Sequence, residues 1–160
     1  MTRFANLADG GRVLAEALRP VAMSLDAPLL VAIVPNGVPV ADPIAAALGL
    51  PLAGAGIERE GQPRVSDVPD VSGRDVIVVD DGVETGTAAR LIAAAIREGG
   101  AHSLRLAVPV CPRQTEAHLQ AVYDEIIAVE RPLGRRDLRW HYADFDTIDE
   151  AEALGRLASR

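Results

Sequence analysis

The chain contains 160 residues with a formal net charge of −7, and 49% of them are hydrophobic although only 3% are aromatic. This size predicts one domain, residues 1–160, whose core consists of Ala, Val, Leu and Ile side chains. The acidic balance argues against a nucleic-acid-binding protein, which normally carries a basic face, but it is compatible with a phosphorylated ligand held by backbone amides and Mg²⁺.

Several features predict a cytoplasmic protein that does not bind membranes. The first residues, MTRFANLADGGR, contain no apolar signal core, and the single cysteine, Cys111, allows no intramolecular disulfide. Residues 27–57 are strongly apolar, but five prolines interrupt them too often for a membrane-spanning helix.

Helical and strand periods alternate along the chain. In the first half they predict helices at residues 7–25 and 39–48, a strand at 29–34 and a weaker strand at 51–57. The first helix is expected to kink or restart at Pro20. The polar segment 61–73 is predicted as a loop with room for a short strand at 64–68.

The second half repeats the alternation, beginning with its clearest strand, VIVV. The predicted strands are residues 76–79, 104–110 and 125–129, and the predicted helices between them are 87–98 and 113–122. A capping box at Thr147 is predicted to open a last helix at 147–157. Alternating strands and helices require crossover connections, so we predict an α/β fold with a mainly parallel sheet.

The segment VIVVDDGVETGTAAR combines a buried strand, a glycine-containing loop and a helix. Asp80 and Asp81 end the strand, where ligands bind in open α/β sheets, and two carboxylates suit sugar hydroxyls and a Mg²⁺ ion. The amides of residues 83–88 face a helix N-terminus that favours a phosphate. The alternative is that the acids end a strand and that Thr85 caps the helix. The Thr-Gly spacing favours a ribose 5-phosphate site.

The loop VVDDGVETGT resembles the phosphoribosyl pyrophosphate loop of type I phosphoribosyltransferases. Other segments are similar to one bacterial group of these proteins, with PRGG and VDDG motifs: LLVAIVPNGVPVADPIAAALGLPL, GIEREGQP, LRLAVPVCP and WHYADF. The resemblance covers nearly the whole chain in the same order. It implies a three-layer α/β/α fold with a small C-terminal hood.

The resemblance also implies a reaction. It is a Mg²⁺-dependent transfer of ribose 5-phosphate from phosphoribosyl pyrophosphate to a nitrogen base, purine-like, with release of pyrophosphate, and relatives often form homodimers. Asp80 and Asp81 are expected to hold the ribose hydroxyls, to stabilise the positive charge that develops on the ribose and to bind the metal. The expected donor-binding groups are a 5-phosphate loop of Val83, Glu84, Thr85, Gly86, Thr87 and Ala88, a pyrophosphate loop of Pro35, Asn36, Gly37 and Val38, and Arg59.

Glu84 stands where 6-oxopurine phosphoribosyltransferases have an Asp that acts as a general base or as a hydrogen-bond partner of the purine. A carboxylate beside a phosphate is expected to have a raised pKa, which suits base catalysis near neutral pH. The alternative is a solvated glutamate in the first turn of a helix, where acids are common. The sequence leaves both interpretations open.

Three residues near the C-terminus have two interpretations as well. In the 6-oxopurine enzymes this region supplies an aromatic ring that stacks on the base and an Asp near Mg²⁺, so Trp140 or Tyr142 is expected to stack and Asp144 to lie near the metal. The alternative, which we favour, is a C-terminal strand whose aromatic side chains pack on the core.

Several positions depart from the family pattern. Asn36 replaces an Arg, Glu58 a basic residue and Ala88 a Thr or Ser, and the chain between Arg59 and Val76 is too short for the long flap of relatives. These departures favour a second hypothesis, a non-catalytic protein that binds phosphoribosyl pyrophosphate or a nucleotide as a sensor or regulatory subunit. We rank the transferase first because the loop acids are present.

Overall fold

The computed structural model of the protein describes residues 3–160 and is built around a six-stranded sheet. Its strands are β1 Leu29–Ile33, β2 Leu52–Glu58, β3 Arg64–Asp67, β4 Asp75–Val79, β5 Ser103–Val110 and β6 Glu125–Glu130. Their spatial order is β3-β2-β1-β4-β5-β6, and all neighbouring pairs are parallel except β2 and β3.

Within residues 3–160 the helices are α1 Leu7–Met23, α2 Gly37–Leu48, α3 Thr87–Glu98, α4 Arg113–Leu119 and α5 Glu150–Ala158, with a short 3-10 helix at Leu138–His141. α1, α2 and α5 pack on one face of the sheet, and α3 and α4 pack on the other. This is the predicted three-layer α/β/α fold, because helical crossovers join the parallel strands. None of these helices is long and apolar enough to cross a membrane.

The central strands are aliphatic because both of their faces are covered. All five residues of β1 are buried, and they alternate between the two helical layers: Leu30 faces α1 and α2, whereas Val31 faces α3. This period of two divides the side chains of one strand between two cores. The short apolar runs in the sequence therefore predicted the strands correctly.

The helix predictions need three corrections. α1 runs continuously through Pro20 to Met23 rather than restarting. α4 ends at Leu119, three residues early, because the chain must turn there so that the amide of Asp124 can donate to the carbonyl oxygen of Leu104 (2.9 Å). α5 is capped by Asp149 rather than by Thr147.

The hood, defined here as residues 131–149, contains the 3-10 helix but no strand, so the predicted C-terminal strand is wrong. The predicted packing of aromatic side chains is correct for Tyr142, whose ring centroid lies 5.5 Å from that of Phe4 and 5.4 Å from that of Phe145. Trp140, in contrast, remains 45% exposed. The hood is thus anchored by Tyr142 against the N-terminal residues.

Candidate functional site

The loop between β4 and α3 lies at the carboxyl edge of the sheet, where the strand order reverses. From β1 the chain runs outward to β2 and β3, and from β4 it runs in the other direction to β5 and β6. A crevice at such a point is the usual ligand site of an open α/β sheet. Here a pocket of about 270 Å³ is lined by residues 80–89 together with Arg59, Leu106 and Leu138.

Of the three acids that line this pocket, Asp81 is buried and Asp80 is half-buried, whereas Glu84 is exposed. The amide of Asp81 donates to Oδ1 of Asp80 (2.9 Å). Burial raises the pKa of Asp81 to about 6. Burial, and then the neighbouring charge of Asp81, raise the pKa of Asp80 well above its usual value. Because ionised carboxylates are costly to bury alone, the pair is suited to hydrogen-bond donors or a cation.

The loop presents backbone donors beside these acids. Within residues 3–160, five amides of this segment donate to no protein atom, those of Gly82, Glu84, Thr85, Gly86 and Ala88. The hydroxyl groups of Thr85 and Thr87 lie 3.2 Å apart. Because α3 begins at Thr87, its dipole adds positive potential at the same place. The arrangement is that of an anion site at a helix N-terminus.

Val83 does not contribute an amide to this set. Its amide donates to the carbonyl oxygen of Val110 (2.9 Å), and its side chain is buried. The Val83 amide therefore anchors the loop to β5.

Two glycines give the loop its shape. Gly86 has a φ of +83°, and a Cβ there would lie 3.0 Å from Cγ2 of Thr115. Gly82 has a φ of +149°, and a Cβ there would lie 2.5 Å from Cδ2 of Leu138. Both positions combine a backbone that L-residues rarely adopt with a close neighbour, so both require glycine.

The sequence matches the family model for the phosphoribosyl transferase domain over residues 6–134, which is most of the chain. The chain belongs to this family. Its fold is similar to the crystal structure of TT1426 from Thermus thermophilus, with a TM-score of 0.86, 22% identity and 99% of both chains covered. It is also similar to that of a purine phosphoribosyltransferase from Pyrococcus horikoshii, with a TM-score of 0.59, 20% identity, and 89% of this chain and 93% of that chain covered.

A curated relative carries the same family name. The chain is 28% identical over 99 residues to "Putative phosphoribosyl transferase Rv0571c" of Mycobacterium tuberculosis (strain ATCC 25618 / H37Rv), an alignment that covers 62% of this chain. The chain spans only 21% of the length of that relative. The match therefore supports the domain family.

In this phosphoribosyl transferase domain, Glu84 connects the loop between β4 and α3 to the hood. Its Oε1 accepts a hydrogen bond from the amide of Leu138 (2.9 Å), and its carbonyl oxygen accepts one from the hydroxyl of Thr115 (3.0 Å). The side chain is otherwise exposed at the pocket rim. Glu84 is thus neither a freely solvated residue nor a buried one.

The predicted pyrophosphate loop is partly occupied by contacts within the protein. Oδ1 of Asn36 accepts a hydrogen bond from the amide of Ile148 in the hood (3.0 Å). The amide of Val38 donates to the carbonyl oxygen of Pro35 (3.2 Å), and the Val38 side chain is fully buried. The Val38 side chain therefore belongs to the core.

A second pocket, of about 400 Å³, lies beside this loop. Its charged lining residues are Glu58, Arg59, Glu60 and Glu150. Arg59 lines both pockets, and its charge lowers the pKa of both loop acids. Gly37 packs against the end of β4, where a Cβ would lie 2.6 Å from the carbonyl oxygen of Val79. The two pockets are therefore neighbouring parts of one crevice.

The three C-terminal candidates lie outside the lining of the acid pocket. The guanidinium of Arg136 lies over the Trp140 ring, 4.5 Å from the ring centroid, and Tyr142 is buried, so the Tyr142 ring is not available to stack on a base. Asp144 is exposed, and its amide donates to Ala5. Within residues 3–160, no three His, Cys, Asp or Glu side chains cluster as metal ligands, so Asp144 does not join the acid pair.

Several lining residues of this pocket were not predicted as site residues, and Leu106 and Leu138 are the largest of them. Leu106 and Leu138 supply the apolar part of the pocket. Leu138 is the single apolar residue of the polar run RRDLR, which was a local signal for burial. Leu106 gave no signal of this kind, because it is one of several apolar residues of its strand.

Proposed function

We propose that the protein is a Mg²⁺-dependent phosphoribosyltransferase that moves ribose 5-phosphate from phosphoribosyl pyrophosphate to a purine-like nitrogen base. The observation that carries the proposal is a pair of acids, Asp81 buried and Asp80 half-buried, beside the free amides of one loop. The acids can bind the two ribose hydroxyls, and the adjacent loop amides can bind the phosphate of the same ribose 5-phosphate. Family membership supports the reaction class.

In the proposed reaction, the loop amides hold the 5-phosphate while the acids bind the ribose hydroxyls. The bond between carbon 1 and the pyrophosphate oxygen breaks, and a bond from carbon 1 to the base nitrogen forms. Positive charge develops on the ribose during this step, and the carboxylates of Asp80 and Asp81 stabilise it. Glu84 is the candidate acceptor for the proton that the base nitrogen loses, because its carboxylate stands at the pocket rim.

The chemistry of the acid pair fits Mg²⁺. Mg²⁺ prefers hard oxygen ligands and is usually held by one or two carboxylates together with substrate phosphates rather than by a protein cage. Asp80 and Asp81 provide two such carboxylates, and a cation would offset the cost of ionising them where they are buried. When bound, Mg²⁺ neutralises charge on the pyrophosphate leaving group.

The identity of the acceptor as a purine-like base is the most specific part of the proposal. It is supported by the position of Glu84 and by the similarity in fold to the purine phosphoribosyltransferase of Pyrococcus horikoshii. The enzyme's activity with a base panel tests this part separately from donor binding.

Calorimetric titration with phosphoribosyl pyrophosphate, with and without Mg²⁺, tests the site. We expect saturable binding that requires Mg²⁺ and that weakens by at least about tenfold in Asp80→Asn/Asp81→Asn, because charge-assisted hydrogen bonds are lost. The matched control is Asp26→Asn, which changes an exposed acid before β1, at the opposite edge of the sheet. Equal affinity in wild type and double variant would contradict the proposed site.

A regulatory binding protein is the second candidate. The Asn36–Ile148 hydrogen bond and the acids around the second pocket favour it, because both reduce the capacity of this region to hold pyrophosphate. Binding of phosphoribosyl pyrophosphate without release of pyrophosphate across a broad panel of bases would select this alternative.

A further inference from the structure

The hydroxyl group of Tyr142 reaches the backbone of the acid pair from the hood. It donates a hydrogen bond to the carbonyl oxygen of Asp81 (2.6 Å), although the two residues are 61 positions apart. Tyr142 is only 1% exposed. A buried bond of this kind is not exchanged with water, so it fixes the position of the Asp81 carbonyl group.

The ring that carries this hydroxyl is held on several sides. Phe4 and Phe145 pack against it, and a Cβ on Gly10 would lie 3.2 Å from its Cε1 atom. The hydroxyl position is therefore set by packing rather than by a flexible side chain. This makes Tyr142 a rigid support for the loop.

The carbonyl group of Asp81 and the amide of Gly82 belong to one planar peptide unit. Fixing the carbonyl oxygen therefore also orients the amide of Gly82, which lines the pocket and donates to no protein atom within the described residues 3–160. On its other side Gly82 meets Leu138 of the hood. The peptide after Asp81 is thus held by Tyr142 and Leu138 together.

We propose that Tyr142 is a positioning residue, which orients the Asp81–Gly82 peptide so that the Asp81 carboxylate and the Gly82 amide are presented to the ribose; this proposal rests on the proposed function. Tyr142 was expected from the sequence to stack on the base. The hydrogen bond to Asp81 gives it a different role, in which it does not touch the ligand.

Tyr123 provides a matched control for this proposal. It is also a buried tyrosine, and its hydroxyl donates to a backbone carbonyl oxygen, that of Ala89 (2.7 Å). Tyr142→Phe and Tyr123→Phe each keep the ring and remove one buried hydrogen bond. We expect similar decreases in Tm for the two variants, so that any difference between them in function does not come from stability.

The first experiment is NMR of the ligand-free protein. Tyr142→Phe is expected to shift the amide resonance of Gly82 and to speed its hydrogen exchange, whereas Tyr123→Phe is expected to affect the residues around Ala89 instead. An unchanged Gly82 amide in Tyr142→Phe would overturn the proposal, whatever the ligand of the protein is.

The second experiment measures kcat/KM for phosphoribosyl pyrophosphate. We expect about a tenfold decrease in Tyr142→Phe and less than about a twofold decrease in Tyr123→Phe. In an Asp81→Asn background, Tyr142→Phe is expected to cause a smaller further loss, because its effect through the Asp81 carboxylate is already removed and only its effect through the Gly82 amide remains. Equal effects in both backgrounds would overturn the proposal. A shifted Gly82 amide in a protein that binds no donor would refute the proposed function and leave the positioning role intact.

Discussion

Asp81 lowers the stability of the folded protein near neutral pH and provides a carboxylate for ligand binding. Its side chain is buried, with the residue 8% exposed, and burial raises its pKa from 3.8 to about 6. Near neutral pH the folded protein therefore carries a charge that its surroundings disfavour. A ligand or cation that interacts with this charge recovers part of the free energy, which makes binding and stability interdependent at this residue.

This pKa shift predicts the pH dependence of stability. Because the folded pKa lies above the unfolded value, the contribution of neutral Asp81 is fully present below about pH 4 and is lost as the pH rises through about 6. Asp81→Asn cannot ionise, so its free energy of unfolding relative to wild type should increase by about 2–3 kcal/mol between about pH 4 and about pH 8. Urea unfolding in the presence of EDTA measures this difference.

Asp26→Asn serves as the control, since Asp26 lies far from the pocket and its side chain is exposed. Its difference from wild type should change little over the same pH range. A difference for Asp81→Asn that is equally constant would contradict the proposed cost of ionisation.

The start of α3 is the element on which anion binding depends. The first amides of a helix have no acceptor within the helix, and Gly86 turns the backbone into the left-handed region directly before α3. The turn is held against α4 through Thr115, which donates to the carbonyl oxygen of Glu84 and contacts Gly86. The shape of the loop is therefore set by two elements and not by its own sequence alone.

Gly86→Ala should separate loop shape from backbone strain. A Cβ at a positive φ costs about 1 kcal/mol, and at Gly86 it would also press on Thr115, 3.0 Å away. Gly49 has a similar φ of +66°, but nothing lies within 4 Å of its Cβ position. We expect both alanine variants to lose stability, whereas only Gly86→Ala should lose affinity for ribose 5-phosphate, by about tenfold. Calorimetry and thermal unfolding measure the two effects, and equal affinities would contradict the role of the loop.

The contrast between local and distant contacts explains how far the sequence could predict this protein. Some features lie close together in the sequence, and their structure follows from local rules. These are the aliphatic run of β4, the acids at its end and the glycines of the loop. The Tyr142–Asp81 and Asn36–Ile148 hydrogen bonds join residues 61 and 112 positions apart. Nothing in the local pattern indicates such pairs, and for this reason a strand was favoured for the C-terminal segment that holds Trp140 and Tyr142.

The charges of the whole molecule make the crevice unusual for a site that is proposed to hold pyrophosphate. All 16 basic residues are arginines. Among the residues that line the two pockets, all of them described, Arg59 is the single basic side chain beside six acids. The net charge of −7 adds a repulsive background for a polyanion. Donor binding should therefore depend on the cation and on Arg59 more than on long-range attraction.

Arg59→Gln is expected to weaken phosphoribosyl pyrophosphate binding about tenfold or more and to change ribose 5-phosphate binding by less than about threefold, since the loop amides, and not Arg59, hold the 5-phosphate. Arg64→Gln, on the neighbouring strand β3, is the control for lost surface charge. Calorimetry with both ligands at fixed Mg²⁺ makes the comparison. A larger loss for phosphoribosyl pyrophosphate alone would support an anion subsite between the two pockets. Equal losses for both ligands would mean that Arg59 changes the electrostatic potential of the whole crevice. The second pocket, with its three glutamates, would then not be where pyrophosphate binds.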